Sequence, residues 1–312
     1  MSLLAVGTVA FDTVHTPFRT AERILGGSAT YITLAARLFV DAPRLVAVVG
    51  HDFPESCISL LRDRKIDLAG LEVNPTEKTF FWEGRYHYNM NDRDTLDTQL
   101  NVLATFDPKL PASYRSTRVV CLGNLQPQVQ QQVLDQVESP DLVVCDTMNF
   151  WIDSALDELK KTLARIDVLI INDEEARQLA DHTNLVVASR IIRAMGPKTL
   201  IIKKGEHGAM LFKDDHVFWA PALPLEEIQD PTGAGDTFMG GFAGYLACEG
   251  TYTFDSFKRA VLCGTALASF VVGQFGPEAL YDLTPEDVQG RLDRLTTLAH
   301  VPAVDAIGAR MV

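Results

Sequence analysis

Asp230-Pro231-Thr232-Gly233-Ala234-Gly235-Asp236-Thr237-Phe238 decides how this chain is read. The turn-prone Ala220-Pro221-Ala222-Leu223-Pro224 precedes it, and it opens an apolar run of small residues, Thr237 to Cys248, that reads as a buried helix. Two glycines just before a helix let the backbone come close to a ligand, and the free N–H groups and dipole there favour negative charge. Gly233, Ala234 and Gly235 therefore read as an anion cradle, with the Asp236 carboxylate beside it. An aspartate at a helix start is also an ordinary cap. Cradle and carboxylate together suit phosphoryl transfer to an alcohol: the carboxylate accepts the hydroxyl proton while the N–H groups take up charge on the moving phosphoryl group.

Outward from that stretch, short Ile/Val/Leu-rich runs alternate with helical patterns. Leu3–Gly7, Leu45–Gly50, Val119–Gly123, Leu142–Asp146, Val168–Asn172 and Leu200–Lys203 read as strands buried on both faces, as in a parallel sheet covered by helices. The helices between them are Ala29–Val40, Pro54–Lys65, Val129–Val137, Ser154–Arg165, Glu174–Asp181 and Leu185–Met195. Ala209–Lys213 and Val217–Ala220 form a hairpin pair around Asp214-Asp215, followed by helices Thr237–Cys248 and Phe254–Val272 and one begun by Thr284 as cap with Pro285 at the first helical position. Val9–Ile24 and Leu71–Asn91 interrupt the alternation. The second is aromatic and β-prone (Phe80, Phe81, Trp82, Tyr86, Tyr88), and the two segments predict a small antiparallel flap beside the main sheet, or else a plain surface hairpin. Asn91–Leu103 carries no clear pattern, and the tail from Val301 to Val312 is weakly patterned and expected to be loose.

The 312 residues suffice for one large α/β domain or two domains, and 47% apolar with 22% charged residues is the balance of an ordinary soluble globule. A net charge of −13 makes nucleic acid and an anionic membrane poor partners. Five scattered cysteines, an odd number without Cys-x-x-Cys, suggest reduced thiols in a cytoplasmic setting. The first seven residues are too short for a signal-peptide core, and no apolar run reaches membrane-spanning length.

Ligands of open α/β sheets sit at the carboxyl ends of the strands. Gly7, Asn124, Gln126, Asp146, Asn149, Asn172, Glu175 and Lys203 to Gly208 stand at those ends. Asn172-Asp173-Glu174-Glu175 is on its own an asparagine cap with an acidic first turn, and Lys203-Lys204-Gly205-Glu206-His207-Gly208 a tight turn. His207 reads as a turn residue rather than a catalyst.

The string around Asp236 resembles the C-terminal signature of the ribokinase family, the PfkB carbohydrate kinases. The resemblance covers nearly the whole chain: an N-terminal Gly26-Gly27, a middle Asn172-x-x-Glu175 and the late Gly-Ala-Gly-Asp. It implies a single domain over 1–312 with a three-layer α/β/α ribokinase-like fold, a mostly parallel sheet and a small β lid built from about 9–24 and 71–91. It implies an ATP-dependent kinase acting on a primary hydroxyl of a sugar, or of a nucleoside, with Asp236 as base and Gly233, Ala234 and Gly235 as cradle. It further implies that Asn172 and Glu175 order Mg²⁺ through water, that Lys203, Gly205 and Gly208 line the nucleotide, and that Asp12, Gly26, Gly27 and, more weakly, Gln126 meet the substrate. Asp230 and Thr232 are the candidates for K⁺, and lids of this family often pair between subunits, which suggests a homodimer. Tyr31 departs from the pattern, standing where many members carry an asparagine four residues after the second glycine. A non-catalytic sugar- or nucleotide-binding relative is the competing reading, against which the intact Asp236 argues. An NAD-dependent oxidoreductase and a Walker-type NTPase are disfavoured, because Gly7-Thr8-Val9-Ala10 lacks Gly-x-Gly-x-x-Gly and Gly-x-x-x-x-Gly-Lys-Ser/Thr is absent.

Overall fold

The computed structural model describes residues 2–300; the tail expected to be loose, 301–312, lies outside them. In chain order the elements are β1 (Leu3–Val6), β2 (Ala10–His15), β3 (Thr20–Gly26), α1 (Ser28–Ala36), β4 (Arg44–Gly50), α2 (Glu55–Asp63), β5 (Asp67–Asn74), β6 (Phe81–Tyr86) and β7 (Arg93–Gln99). They continue with β8 (Val119–Leu122), α3 (Pro127–Leu134), β9 (Leu142–Cys145), α4 (Asn149–Ser154), α5 (Leu156–Leu163), β10 (Val168–Asn172), α6 (Asp173–Ala180), α7 (Leu185–Arg193) and β11 (Thr199–Lys203). The hairpin β12 (Ala209–Lys213) and β13 (His216–Ala220) leads to α8 (Ala234–Glu249), α9 (Phe254–Val271) and α10 (Pro285–Ala299).

Nine strands form one sheet in the order β13-β12-β11-β10-β9-β8-β1-β4-β5. Its pairs are parallel except β11–β12 and β12–β13. Strand residues alternate between two cores because successive side chains point to opposite faces. Leu4 and Val6 of β1 pack with Val133 of α3, Leu159 of α5, Leu179 of α6 and Ile192 of α7. Leu3 and Ala5 pack instead with Ile32 of α1, Phe242 of α8 and Phe257 of α9. Burial on both faces explains the continuous apolar runs of these strands, each buried aliphatic side chain contributing about 1.5–3 kcal/mol. The small residues of α8 have a packing cause: a Cβ on Gly240 would stand 2.3 Å from the Ile32 carbonyl oxygen, so α8 lies close on α1. This is the expected three-layer α/β/α arrangement.

Four strands form a second sheet in the order β3-β2-β6-β7, and here the structure departs from the expected boundaries. Leu71–Asn74 belongs to β5, which pairs with β4 at the edge of the main sheet, not to the small one. The fourth small-sheet strand is β7, from the stretch without pattern. The sheet is also not purely antiparallel, since β2 and β6 run parallel. Val14 and Tyr86 pack inward with Ile24, Trp82 and Met90 against Ile228 and Phe275 of the main body. Phe81 joins a different cluster, with Phe11 and Phe53.

Candidate active site

The polar cluster lies around the start of α8. Gly233 is the residue before the helix and takes the left-handed conformation at φ 76°, and no side chain caps the helix. Asp236 is thus not the cap that an aspartate at a helix start suggests; it is the third helical residue, and α8 begins three residues ahead of Thr237. The Ala234 amide donates to the Pro231 carbonyl at 3.2 Å, so Ala234 shapes the turn. Gly235 and Asp236 lie in the first turn, where N–H groups have no intrahelical acceptor.

Lys203, the last residue of β11, reaches over this turn. A Cβ on Gly235 would sit 2.5 Å from the Lys203 Nζ, and that ammonium stands 3.9 Å from Asp146 Oδ2 at the end of β9. Asp236 is half-open to the cleft at its surface, yet protein surrounds it. Burial first, and then the Asp146 charge, push its carboxyl up to about 7, against the opposing pull of Lys203 and Arg93. Asn172 and Glu175 form a reciprocal capping box at the start of α6, each backbone amide donating to the other side chain at 2.8 Å. The cap reading is therefore correct for this pair, and it leaves Glu175 Oε1 outside the two capping bonds. Glu175 is 5% exposed. Burial and the Asp146 charge raise its carboxyl to about 7, with Lys203, the Asn172 amide and Arg93 pulling down. Asp146 is raised as well, by burial, with Lys203 opposing.

From the small sheet comes Asp12, 6% exposed. Its carboxylate fills the space over Gly26, where a Cβ would lie 1.9 Å from Oδ2. Burial, then Asp230 and Asp236, raise it to about 7, while the Gly27 amide lowers it. Gly27, at φ 94°, starts α1. Asp230 is fully buried; its Oδ1 accepts from the Thr232 amide at 2.8 Å, and its Oδ2 has no hydrogen-bond partner among the described residues. Thr232 Oγ1 donates to the Tyr86 hydroxyl at 3.2 Å, a bond from the cradle loop to the small sheet.

Most of the residues singled out in the sequence converge here; Gln126, Gly208, Ala234 and Gly205 have other parts. Gln126 is exposed at the start of α3 and makes none of the hydrogen bonds in the cluster; its neighbour Gln130 is the buried one, donating to the Gly123 and Asp146 carbonyls. Gly208 is required by the chain itself, since a Cβ there would lie 2.0 Å from the Ala220 carbonyl oxygen of β13. Ala234 shapes the turn as described. Gly205 faces the small sheet: a Cβ on it would lie 2.5 Å from Asn91 Oδ1, in the loop between β6 and β7. Three residues that no motif marks join the cluster, namely Asp146, Tyr86 and Arg93. Arg93, the first residue of β7, keeps exposed surface while the cluster's charged groups act on it. Burial works against its charge, but Tyr86, Glu175 and Asp236 outweigh it and hold the guanidinium protonated.

No group of three or more metal-ligating side chains occurs among the described residues. Glu175 Oε1, left outside the capping bonds, fits Mg²⁺ held through its own waters, and the buried Asp230 Oδ2, without a hydrogen-bond partner among the described residues, suits a monovalent cation. No helix among the described residues is long and apolar enough to cross a membrane.

The family model described as pfkB family carbohydrate kinase matches residues 4–282. Among curated proteins, the cytidine kinase of Thermococcus kodakarensis is 28% identical over 250 residues, covering 78% of this chain and 88% of the relative. Among solved structures, the Burkholderia thailandensis nucleoside kinase in complex with inosine superposes at a TM-score of 0.75 with 19% identity, covering 96% of this chain and all of that one. The aminoimidazole riboside kinase of Salmonella enterica, complexed with aminoimidazole riboside and an ATP analog, gives 0.71 at 16% identity, over 94% of this chain and 100% of the other. At these identities the two structures speak to the fold.

Proposed function

We propose, for a chain that belongs to the pfkB family of carbohydrate kinases, transfer of the terminal phosphoryl group of ATP to a hydroxymethyl group on a pentose-like ring, with a nucleoside as the favoured acceptor. The observation that carries this reading is the uncapped start of α8, with Lys203 over Gly235 and the Asp236 carboxylate beside them. The similarity to a cytidine kinase supports a nucleoside over a free sugar.

Asp236 takes the proton of the attacking hydroxyl. The new bond forms between that oxygen and phosphorus as the bond to the bridging oxygen breaks, and ADP leaves. The Gly235 and Asp236 amides and Lys203 receive the charge on the moving group. Glu175, with Asn172, would hold Mg²⁺ through water, which supplies neutralisation of phosphate charge. Asp230 and Thr232 would hold K⁺ and so order the turn before α8. Asp12 binds ring hydroxyls from the small sheet, which acts as a lid that excludes water. The exposed rings of Phe18 and Tyr88, 6.1 Å apart in the turns β2–β3 and β6–β7 of the small sheet, favour a dimer through the lid; a light-scattering mass of one subunit would remove that part. The cysteines, none of them in a disulfide, accord with a cytoplasmic setting.

The deciding experiment is an ADP-release screen over nucleosides and sugars with Mg²⁺ in potassium, sodium or a bulky organic cation. Turnover is expected with a nucleoside and fastest in potassium. Folded protein without turnover on any acceptor would sink the kinase reading, and equal rates in the three salts would discard the K⁺ site alone.

The pH profile follows from Asp236. Only its ionised form accepts a proton, and its carboxyl titrates near 7 because burial and Asp146 outweigh Lys203 and Arg93. Below that pH kcat/KM should fall about tenfold per unit, this quantity reporting the free enzyme. A flat profile between pH 5 and 8 would contradict the assignment.

A further inference from the structure

Tyr86 belongs to the cluster, yet phosphoryl transfer as described gives it no task. It ends β6 and is 4% exposed. Its ring packs with Val14, Trp82 and Met90 against Ile228 and Phe275 of the main body. Its hydroxyl stands at a junction. On one side Thr232 Oγ1 donates to it at 3.2 Å. On the other, Arg93 lies directly opposite Tyr86 in the ladder of β6 and β7. After burial, which opposes the Arg93 charge, the phenol is the first group to act on it, in its favour.

The place of Thr232 in its turn decides what that bond does. Gly233, at φ 76° and ψ −3°, has the dihedrals of the third residue of a type II turn. The Ala234 amide closes the turn onto the Pro231 carbonyl at 3.2 Å, which makes Thr232 the second residue. Thr232 is fixed twice: its amide donates to Asp230 Oδ1 at 2.8 Å, and its hydroxyl donates to Tyr86. The free amides of Gly235 and Asp236 follow directly, so their direction depends on how the turn is held. We propose that Tyr86 is a positioning residue whose hydroxyl ties the corner of the turn before α8 to the lid, so that the aim of the cradle amides and the closed position of the lid are coupled. In a kinase this coupling lets the cradle take its final shape only when the lid excludes water. That benefit rests on the reading of the chain as a kinase with the small sheet as lid; the tie between turn and sheet does not.

Tyr86→Phe keeps the ring in its cluster and removes only the hydroxyl. Hydrogen exchange of the ligand-free protein would be measured for the wild type, Tyr86→Phe, Thr232→Val and Asn91→Ala. Asn91 is the control, because it meets Gly205 from the same β6–β7 hairpin and not the turn before α8. The hydrogen-bonded amides of Gln229, Thr232 and Ala234 report on the turn, and those of β6 report on the lid. Tyr86→Phe and Thr232→Val are each expected to speed exchange roughly five- to tenfold at both places, the effect of one neutral hydrogen bond. Asn91→Ala should act on the hairpin alone. Unchanged exchange at the turn in Tyr86→Phe, or an equal rise there in Asn91→Ala, overturns the proposal. With the best acceptor of the screen, each of the two single variants should lose roughly tenfold in kcat/KM. The double variant should lose no more than either, since both changes remove the same bond; additive losses overturn the proposal as well. Absence of wild-type turnover would count against the kinase reading, and the exchange measurements would still decide the role of Tyr86. If Tyr86→Phe does not fold, Thr232→Val decides it from the other end of the bond, through the exchange of β6.

Discussion

Asp236→Asn is expected to lower kcat by a factor on the order of 10²–10⁴, the range for losing a general base, with little change in KM. The amide keeps the shape of the side chain but cannot accept the proton. Folding should survive, because Asp236 caps nothing: α8 starts without any side-chain cap. At pH 8 the variant should even be the more stable of the two. The Asp236 carboxyl titrates near 7 in the folded protein, with burial as the first cause, against 3.8 as the ordinary value. Between those two pH values the folded chain binds more protons than the unfolded one, so stability falls as pH rises through that window. The asparagine variant escapes that penalty, and its thermal midpoint at pH 8 should equal or exceed that of the wild type. Near wild-type kcat would remove Asp236 from the role of base. A lower midpoint at pH 8 would show instead that the carboxylate holds the fold together.

What could be read from the sequence is what lies contiguous in it. Gly233, Gly235 and Asp236 act within four residues, so the cradle and its carboxylate stand next to each other before any folding is considered. The main-sheet strands are equally plain, because burial on both faces makes them unbroken apolar runs. β7 escapes such reading for the opposite reason. Arg-Asp-Thr-Leu-Asp-Thr-Gln is exposed almost throughout, so no alternation marks it, and it becomes a strand through its pairing with β6. Arg93 is hidden with it. Its charge matters only once the small sheet lies over the ends of β9 and β10, and no spacing in the chain encodes that approach. Asp146 likewise belongs to no motif; its weight comes from Lys203, which arrives from a different strand. The difficulty with β5 is one of register: a half-buried edge strand beside an aromatic segment reads as the start of that segment.

The largest effect on the fold and the site together is expected from Gly233→Ala. Two separate costs meet at that position. The residue sits at φ 76°, where a side chain is strained, at about 1–3 kcal/mol for a non-glycine residue in such a region. The added methyl group would also stand 2.2 Å from Tyr31 Cζ, and Tyr31, being 1% exposed, has nowhere to turn; overpacking of this kind costs about 1–3 kcal/mol more. Either the ring shifts toward the carboxylates or the turn before α8 moves, and in both cases the amides of Gly235 and Asp236 lose their aim. A fall in thermal midpoint and a loss of kcat of at least on the order of 10² should therefore appear together, since a misplacement of about 1 Å suffices for that. Gly290→Ala is the control, because nothing among the described residues lies within 4 Å of a Cβ there in α10; it should be neutral or stabilising by about 0.5–1 kcal/mol. In a Tyr31→Ala background the steric share of the Gly233→Ala penalty should vanish while the share from φ remains, so the double variant should be more stable than the two single losses added. Strict additivity would mean that the ring and the turn do not touch in solution, and it would undercut the position assigned to Tyr31 as well.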